Sequence, residues 1–114
     1  MILKIGTDIV FLPRFEKIFR ENKEHFLQNV FCKEELESAN VQRLAGIFAS
    51  KEATIKALGI KVGRWQEICV AHKESGKPYL ATFPQETKAR ATWKHDLTIA
   101  HDGDYAIAHV IFYQ

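Results

Sequence analysis

The sequence predicts a single α+β domain, residues 1–114, in which a small, mostly antiparallel sheet packs on a long central helix. Three observations support this prediction. The chain opens with an apolar, β-branched segment, a long helical pattern occupies its middle, and two alternating segments joined by Asp102-Gly103 lie near its end.

The first element is a strand from Ile2 to Phe11, which ends just before Pro13. Pro13 suits the first turn of a helix, and this helix has an apolar stripe on one side. The opposite side carries a row of basic residues, namely Arg14, Lys17 and Arg20. Such a row is usually only solvated, but it would suit an acidic partner.

The central helix is predicted from Val41 to Leu58, with Gly59 as its C-cap. One side is bulky and the other consists of small residues, so the rest of the fold should pack around this helix. The bulky side comprises Val41, Leu44, Ala45, Phe48 and Ile55, and the small side comprises Gly46, Ala49, Ala53 and Ala57.

The elements around this helix are shorter. Before it we expect an amphipathic piece near Phe26 and a helical turn or two at Lys33–Glu37. After it we expect strands at Ile68–His72 and Tyr79–Phe83, a polar helix from Pro84 through Trp93, and a hairpin of Leu97–His101 with Tyr105–Phe112.

Composition excludes several classes of protein. No apolar run approaches the roughly 20 residues of a membrane-spanning helix. Sixteen Lys and Arg against fourteen Asp and Glu give a net charge of +2, which is far from that of a nucleic-acid-binding protein. Cys32 and Cys69 match neither zinc-ligand spacing nor a disulfide framework, and no secretory signal is visible. These features predict a cytoplasmic protein with reduced thiols.

Glu52 is out of place on the bulky side of the central helix. Burying an unpaired carboxylate costs several kcal/mol, so Glu52 must be paired, protonated or bound to a cation. It could pair with Lys56 four residues later, or it could hold Mg²⁺ together with Asp8. Asp8 in turn could simply cap the turn before Pro13, and His101 could be an ordinary surface histidine beside the hairpin turn.

Two segments taken together resemble a known family. Ile5-Gly6-Thr7-Asp8 and the block Phe48-Ala49-Ser50-Lys51-Glu52-Ala53-Thr54-Ile55-Lys56 are similar to the paired motifs of the 4'-phosphopantetheinyl transferases, holo-acyl-carrier-protein synthase branch. Further similarity lies in Leu44-Ala45-Gly46, Gly76-Lys77-Pro78-Tyr79, Leu97-Thr98-Ile99-Ala100-His101 and Tyr105-Ala106-Ile107-Ala108, so the resemblance spans nearly the whole chain.

The resemblance implies an activity. Such enzymes move the phosphopantetheine arm of coenzyme A onto a serine of an apo acyl carrier protein, release adenosine 3',5'-bisphosphate and use Mg²⁺, in fatty acid or related biosynthesis. Short members are homotrimers with coenzyme A sites between subunits. This arrangement would also explain how only 114 residues form both a core and a ligand pocket.

The resemblance also implies roles for individual residues. Asp8 and Glu52 match the metal-binding carboxylates, and Lys56 matches the lysine at the reacting phosphates. The coenzyme A site would include Lys51, Lys56, Lys77, Pro78 and His101, and Arg14 matches the carrier-binding first helix, where Lys17 and Arg20 extend the basic row. Glu52, directly or through a metal-bound water, is our candidate for the base that accepts the serine proton.

The chain departs from the family pattern in three places. Ile47 stands where the family often has arginine, Ala100 stands where it often has Ser or Thr, and Asp102 adds a negative charge beside His101. These changes bear on cofactor contacts. Two alternatives to the transferase are a metal-dependent nuclease using the same carboxylates and a non-enzymatic adaptor that binds an acidic protein.

Overall fold

The structure, a computed structural model, describes residues 1–37, 40–85 and 93–114. Its helices are α1 (Leu12–Glu21), α2 (Lys23–Asn29) and α3 (Val41–Leu58), with 3-10 turns at Lys33–Leu36 and Trp65–Glu67. Its strands are β1 (Leu3–Phe11), β2 (Cys69–His72), β3 (Pro78–Thr82), β4 (Lys94–Asp102) and β5 (Tyr105–Tyr113). The predicted α+β class is confirmed.

All described strand pairings are antiparallel. β5 lies between β1 and β4 in a three-stranded sheet, and β2 pairs with β3 in a separate two-stranded sheet. The predicted hairpin is confirmed, since β4 and β5 pair from Asp102↔Tyr105 outward. In the register of the larger sheet, Asp8 lies opposite Ala108, which lies opposite Ile99.

The central helix α3 has the predicted bounds because both its ends are capped. The Asn40 side chain accepts a hydrogen bond of 2.8 Å from the main-chain N–H of Arg43, and Gly59 adopts a left-handed φ of 64° that stops the helix. Eighteen residues therefore form one rigid element that contacts all three strands of the larger sheet.

Ala53 and Ala57, on the small side of α3, lie against β1. A Cβ atom on Gly6 would lie 1.9 Å from the carbonyl oxygen of Ala53 and 3.0 Å from the Cβ of Ala57. Only glycine allows the strand to approach this closely. Gly6 therefore sets the distance between β1 and α3, and it faces the helix together with Asp8 two residues later.

The other face of β1 is apolar and exposed. Leu3, Ile5 and Ile9 have exposed fractions of 55%, 70% and 59%. The sheet thus packs one face on α3 and leaves apolar side chains of its edge strand uncovered in the single chain.

The prediction of reduced thiols is wrong. Cys32 and Cys69 form a disulfide with a Cα–Cα distance of 6.0 Å, which ties the start of the first 3-10 turn to the start of β2. Spacing rules for zinc or CxxC sites detect only local motifs, whereas this bond joins residues separated by 37 positions that the fold brings together.

The polar helix predicted from Pro84 through Trp93 falls largely on residues 86–92, outside the described residues; Pro84, Gln85 and Trp93 themselves are not helical. Within the described ranges, none of the helices has the length and apolar character needed to cross a bilayer.

Candidate active site

Asp8 lies in the middle of β1 rather than at its end, where it pairs with Ala108. The interpretation that it caps the turn before Pro13 is therefore wrong, and the residue preceding α1 is Phe11, whose side chain makes no cap. The side chain of Asp8 is 17% exposed. Its position on the helix-facing side of the strand brings it to the C-terminal half of α3.

Lys56 reaches from α3 to β1. Its Nζ donates hydrogen bonds to Asp8 Oδ1 at 2.9 Å and to the carbonyl oxygen of Thr7 at 3.1 Å. The ion pair within the helix that its spacing from Glu52 allows is replaced by this pair across elements. The lysine therefore joins the strand carboxylate to the helix.

Glu52 is half-buried, and its Oε1 accepts a hydrogen bond of 3.3 Å from Trp65 Nε1. Burial raises the pKa of Glu52 above its ordinary value, and the hydrogen bond from Trp65 opposes this shift. The negative charge of Asp8 raises the pKa further, and the positive charge of Lys56 lowers it. Two carboxylates thus lie close enough to repel each other, with one lysine between the two elements.

These carboxylates open on a common cleft with a volume of about 270 Å³ between β1, α1, α2 and α3. Its remaining walls are one arginine, aromatic rings and aliphatic side chains. The lining comprises Asp8, Ile9, Val10, Phe11, Arg14, Phe15, Ile18, Phe26, Phe48 and Glu52. The cleft therefore combines two carboxylates and one arginine with an apolar surface.

The two carboxylates suit a hard divalent cation. Mg²⁺ is typically held by one or two carboxylates, waters and substrate phosphates rather than by a full set of protein ligands. The described residues contain no cluster of three or more His, Cys, Asp or Glu side chains that could ligate a metal. Asp8 and Glu52 could hold such an ion only together with water or a phosphorylated ligand.

A second cleft, of about 340 Å³, lies on the other side of α3 against β4. It contains two of the predicted cofactor residues, Pro78 and His101. The Nε2 atom of His101 lies 3.0 Å from the carbonyl oxygen of Gln42, which can only accept, so Nε2 carries hydrogen. A Cβ on Gly46 would lie 3.3 Å from this ring, so glycine here keeps the cleft open.

The structure does not bring Lys51 and Lys77 into this cleft. Lys77 forms an exposed ion pair of 2.7 Å with Asp96. Lys51 is completely buried, pairs with Glu35 at 2.8 Å and donates to the carbonyl oxygens of Trp65 and Ile68. The prediction that Lys51 lines the cofactor site conflicts with this burial, because a side chain without solvent access has no surface for a ligand.

The basic row of α1 is exposed. Arg14 borders the cleft of the two carboxylates, with its guanidinium 5.8 Å from the centre of the Phe11 ring. Lys17 is also exposed, and Arg20 forms an ion pair of 2.7 Å with Glu16. The row therefore continues from the cleft along the outer surface of the helix.

Comparison with known proteins identifies the family. A model of the 4'-phosphopantetheinyl transferase superfamily matches residues 4–110. The chain belongs to this superfamily. It is 36% identical to a holo-[acyl-carrier-protein] synthase from Ehrlichia chaffeensis over 124 aligned positions, covering 99% of this chain and 98% of the relative. A second such synthase, from a Sulfurovum species, is 36% identical with 93% and 92% covered.

Solved structures of this superfamily share the fold. The ACPS-CoA complex of Chronobacterium ammoniagenes has a TM-score of 0.82 at 27% identity, covering 99% of this chain and 98% of that one. The Helicobacter pylori holo-[acyl-carrier-protein] synthase in complex with coenzyme A has a TM-score of 0.80 at 29% identity, covering 96% and 99%.

The three departures from the phosphopantetheinyl transferase pattern have different surroundings. Ile47 is 2% exposed and forms part of the wall of the second cleft. Ala100 and Asp102 alternate with His101 along β4, so they lie on the opposite face of the sheet from that cleft. The extra charge of Asp102 therefore does not face the residues that line the cleft.

Sequence reasoning missed several residues of these sites in this phosphopantetheinyl transferase. Trp65 lies in a separate 3-10 turn, and no periodicity relates it to Glu52. Arg43 and His72 both line the second cleft but lie on α3 and β2. No sequence pattern in a single chain connects residues on such separate elements; only the folded contacts do.

Proposed function

We propose that this chain transfers the 4'-phosphopantetheine group of coenzyme A to a serine of an apo acyl carrier protein, giving the holo carrier and adenosine 3',5'-bisphosphate. The observation that carries the proposal is that Asp8 and Glu52 line one cleft, with Lys56 bound to Asp8, in a chain of this superfamily. Relatives named holo-[acyl-carrier-protein] synthase and complexes with coenzyme A support the same reaction.

The reaction needs positive charge near the phosphates. The serine oxygen bonds to the β-phosphorus while the bond from this phosphorus to the oxygen bridging it to the α-phosphate breaks. Negative charge then grows on the bridging and non-bridging oxygens. Lys56 supplies one cationic donor beside the site. Mg²⁺ held by Asp8 and Glu52 would supply the second, since it polarises phosphate oxygens. Both carboxylates remain necessary because no third acidic ligand joins them among the described residues.

Glu52 is the proposed acceptor of the serine proton. It would accept the proton directly or through a water held by Mg²⁺, and its half-buried carboxylate lies close enough to Asp8 for the two charges to interact. The hydrogen bond from Trp65 fixes the orientation of the carboxylate by engaging one of its oxygens. The other oxygen stays available for a proton or a cation.

The binding of coenzyme A calls for more than one copy of the chain. The cleft with Pro78 and His101 borders β4, whereas the cleft with the two carboxylates borders β1. These strands are the two edges of the larger sheet, and α3 lies between the two clefts. A homotrimer would bring the first cleft of one subunit to the second cleft of another. The exposed apolar residues Leu3, Ile5 and Ile9 supply the surface for such association.

The carrier protein would dock on α1. Acyl carrier proteins that are acidic complement the row of Arg14, Lys17 and Arg20, and electrostatic complementarity accelerates encounter. Arg14 also borders the cleft of the carboxylates, so a carrier held by this row would present its serine beside them.

We further propose that the chain, residues 1–114, forms one domain. We propose that it acts in the cytoplasm, in fatty acid or related biosynthesis, with no nucleic acid or membrane partner.

Mass spectrometry of the carrier tests the function. The chain is incubated with coenzyme A, Mg²⁺ and an apo acyl carrier protein, and the carrier should gain the mass of one phosphopantetheine. Chelation of the metal should abolish the gain. Binding of several carriers without any gain in mass would support the adaptor instead, and cleavage of a phosphodiester substrate would support the nuclease.

A further inference from the structure

A positively charged group lines the cleft against β4. The exposed guanidinium of Arg43 lines this cleft, and no carboxylate of the described residues lies within ion-pair distance of it. An exposed arginine without an acidic partner keeps its charge uncompensated and has donors available for a ligand.

His72 holds this guanidinium. Its Nδ1 lies 3.0 Å from Arg43 Nη2, and because arginine can only donate, Nδ1 is the acceptor and the imidazole is neutral. Burial and the neighbouring charge of Arg43 both lower the pKa of His72, which agrees with the neutral form. The neutral ring orients the arginine without cancelling its charge.

The surroundings of the pair favour an anion. The described lining of the cleft contains Arg43, His72 and His101 and no acidic side chain. Glu34 and Glu35 border a separate hollow beside Arg43, where Glu35 is already paired with buried Lys51. A cleft of 340 Å³ with an uncompensated guanidinium and no carboxylate suits a phosphorylated ligand.

We propose that Arg43, positioned by His72, binds the 3'-phosphate of coenzyme A and so selects it over the 3'-dephospho form. This inference rests on the proposed function. In the proposed trimer the reacting pyrophosphate lies at Asp8, Glu52 and Lys56 of one subunit, so the cleft against β4 of the neighbouring copy receives the far end of the cofactor. The ribose 3'-phosphate is a doubly charged monoester at that end, and arginine binds such groups through two parallel hydrogen bonds.

Calorimetry with coenzyme A and 3'-dephospho-coenzyme A tests this role without any transfer step. The wild-type chain should bind coenzyme A at least about tenfold more tightly. Arg43→Gln should remove most of this preference by weakening coenzyme A alone. The variant keeps the N-cap of α3, because Asn40 accepts from the main-chain N–H of residue 43. Lys23→Gln, which removes one exposed charge on α2, is the matched control and should keep the preference.

Variants of His72 separate positioning from general structure. His72→Ala should reduce the preference several-fold, whereas His72→Asn, whose side-chain oxygen can accept from Arg43, should keep it within about twofold. In transfer assays Arg43→Gln should raise KM for coenzyme A while kcat stays near the wild-type value. With 3'-dephospho-coenzyme A the KM values of Arg43→Gln and wild type should agree.

The outcomes distinguish this inference from the proposed function. If the wild type transfers phosphopantetheine but binds both cofactors equally, or if Arg43→Gln keeps the preference, the role of Arg43 is refuted and the function stands. If the carrier gains no mass but binding still depends on Arg43 and the 3'-phosphate, the phosphate site stands and the transferase is refuted.

Discussion

Lys56 Nζ lies 2.9 Å from Asp8 Oδ1, so the lysine is paired with a carboxylate 48 residues away rather than with Glu52 on its own helix. The pair leaves Glu52 with a single described side-chain donor, Trp65. Glu52 is therefore a carboxylate beside Asp8 with no cationic side chain of its own bound to it. A divalent cation is the partner that this charge favours.

The first prediction concerns Asp8→Asn. Asparagine still offers an oxygen to Lys56 but carries no charge for a cation, so transfer should fall at least about 10²-fold at fixed Mg²⁺. The measurement is the initial rate of carrier modification over a Mg²⁺ titration. Asp104→Asn, at an exposed position of the hairpin turn, should behave as wild type. Transfer by Asp8→Asn at a third of the normal rate would contradict the role of Asp8.

The second prediction concerns Glu52→Gln, which should remove activity yet stabilise the fold at neutral pH. Burial raises the folded-state pKa of Glu52 above its ordinary value of 4.5, so ionisation is penalised in the folded state. This penalty is absent below the unfolded-state pKa and develops as pH rises through the folded-state pKa. Without divalent ions, Tm of the variant should exceed that of wild type at pH 8, and the gap should close toward pH 4.

Exposed Glu21 is the matched control for this experiment. Glu21→Gln should leave both Tm and its pH dependence close to wild type. A Glu52→Gln variant that is less stable than wild type at pH 8 would contradict the ionisation penalty, and one with full transfer activity would contradict the role of Glu52 as the base.

The sequence predicted those parts of the molecule that depend on local patterns. Helix α3 was predictable because Asn40 and Gly59 cap it and its periodicity is uninterrupted. The placement of Asp8 was predictable from the family motif, and the structure gives the reason: Gly6 lets β1 approach α3, and Asp8 faces the same way. Here the motif and the packing constraint coincide.

The surroundings of Lys51 could not be predicted in this way. Lys51 directly precedes Glu52 in the motif, so the sequence places it in the site. A helix turns by about 100° per residue, however, and the two side chains therefore leave α3 in different directions. Lys51 instead meets Glu35 in the core, where the same carboxylate accepts main-chain N–H groups of Cys32 and Val70. Such convergence of distant segments has no local signature.

The third prediction follows from this buried pair. Lys51→Met should lower the free energy of unfolding by about 3 to 5 kcal/mol, because it leaves the Glu35 carboxylate buried without a counter-charge. In the double variant Lys51→Met with Glu35→Gln, part of the loss should return, since no buried charge remains. Urea unfolding measures both. A single variant within about 1 kcal/mol of wild type would contradict the structural role of Lys51.

The fourth prediction concerns the Cys32–Cys69 disulfide. Cys69→Ser should lower the free energy of unfolding by about 4 kcal/mol, the entropic effect of opening a loop of this size. A reducing agent should destabilise the wild type to a similar degree and leave the variant unchanged. Disulfides are rare in the cytoplasm. If thiol labelling of protein quenched directly in cells finds the bond already formed, that result would count against the proposed cytoplasmic location. Two labelled thiols in purified, unreduced protein would contradict the bond.

The fifth prediction concerns the exposed face of β1. Ile5 is 70% exposed in the single chain, and the proposed homotrimer buries it, so Ile5→Asp should dissociate the assembly. Light scattering should give three times 13.1 kDa for the wild type and the mass of one chain for the variant. Transfer should fall in parallel, because the two clefts then lie on separate molecules. Val62→Asp, at a 63% exposed loop position outside the sheet, should stay trimeric and active. A wild type that is monomeric yet transfers phosphopantetheine would show that one chain holds the whole cofactor.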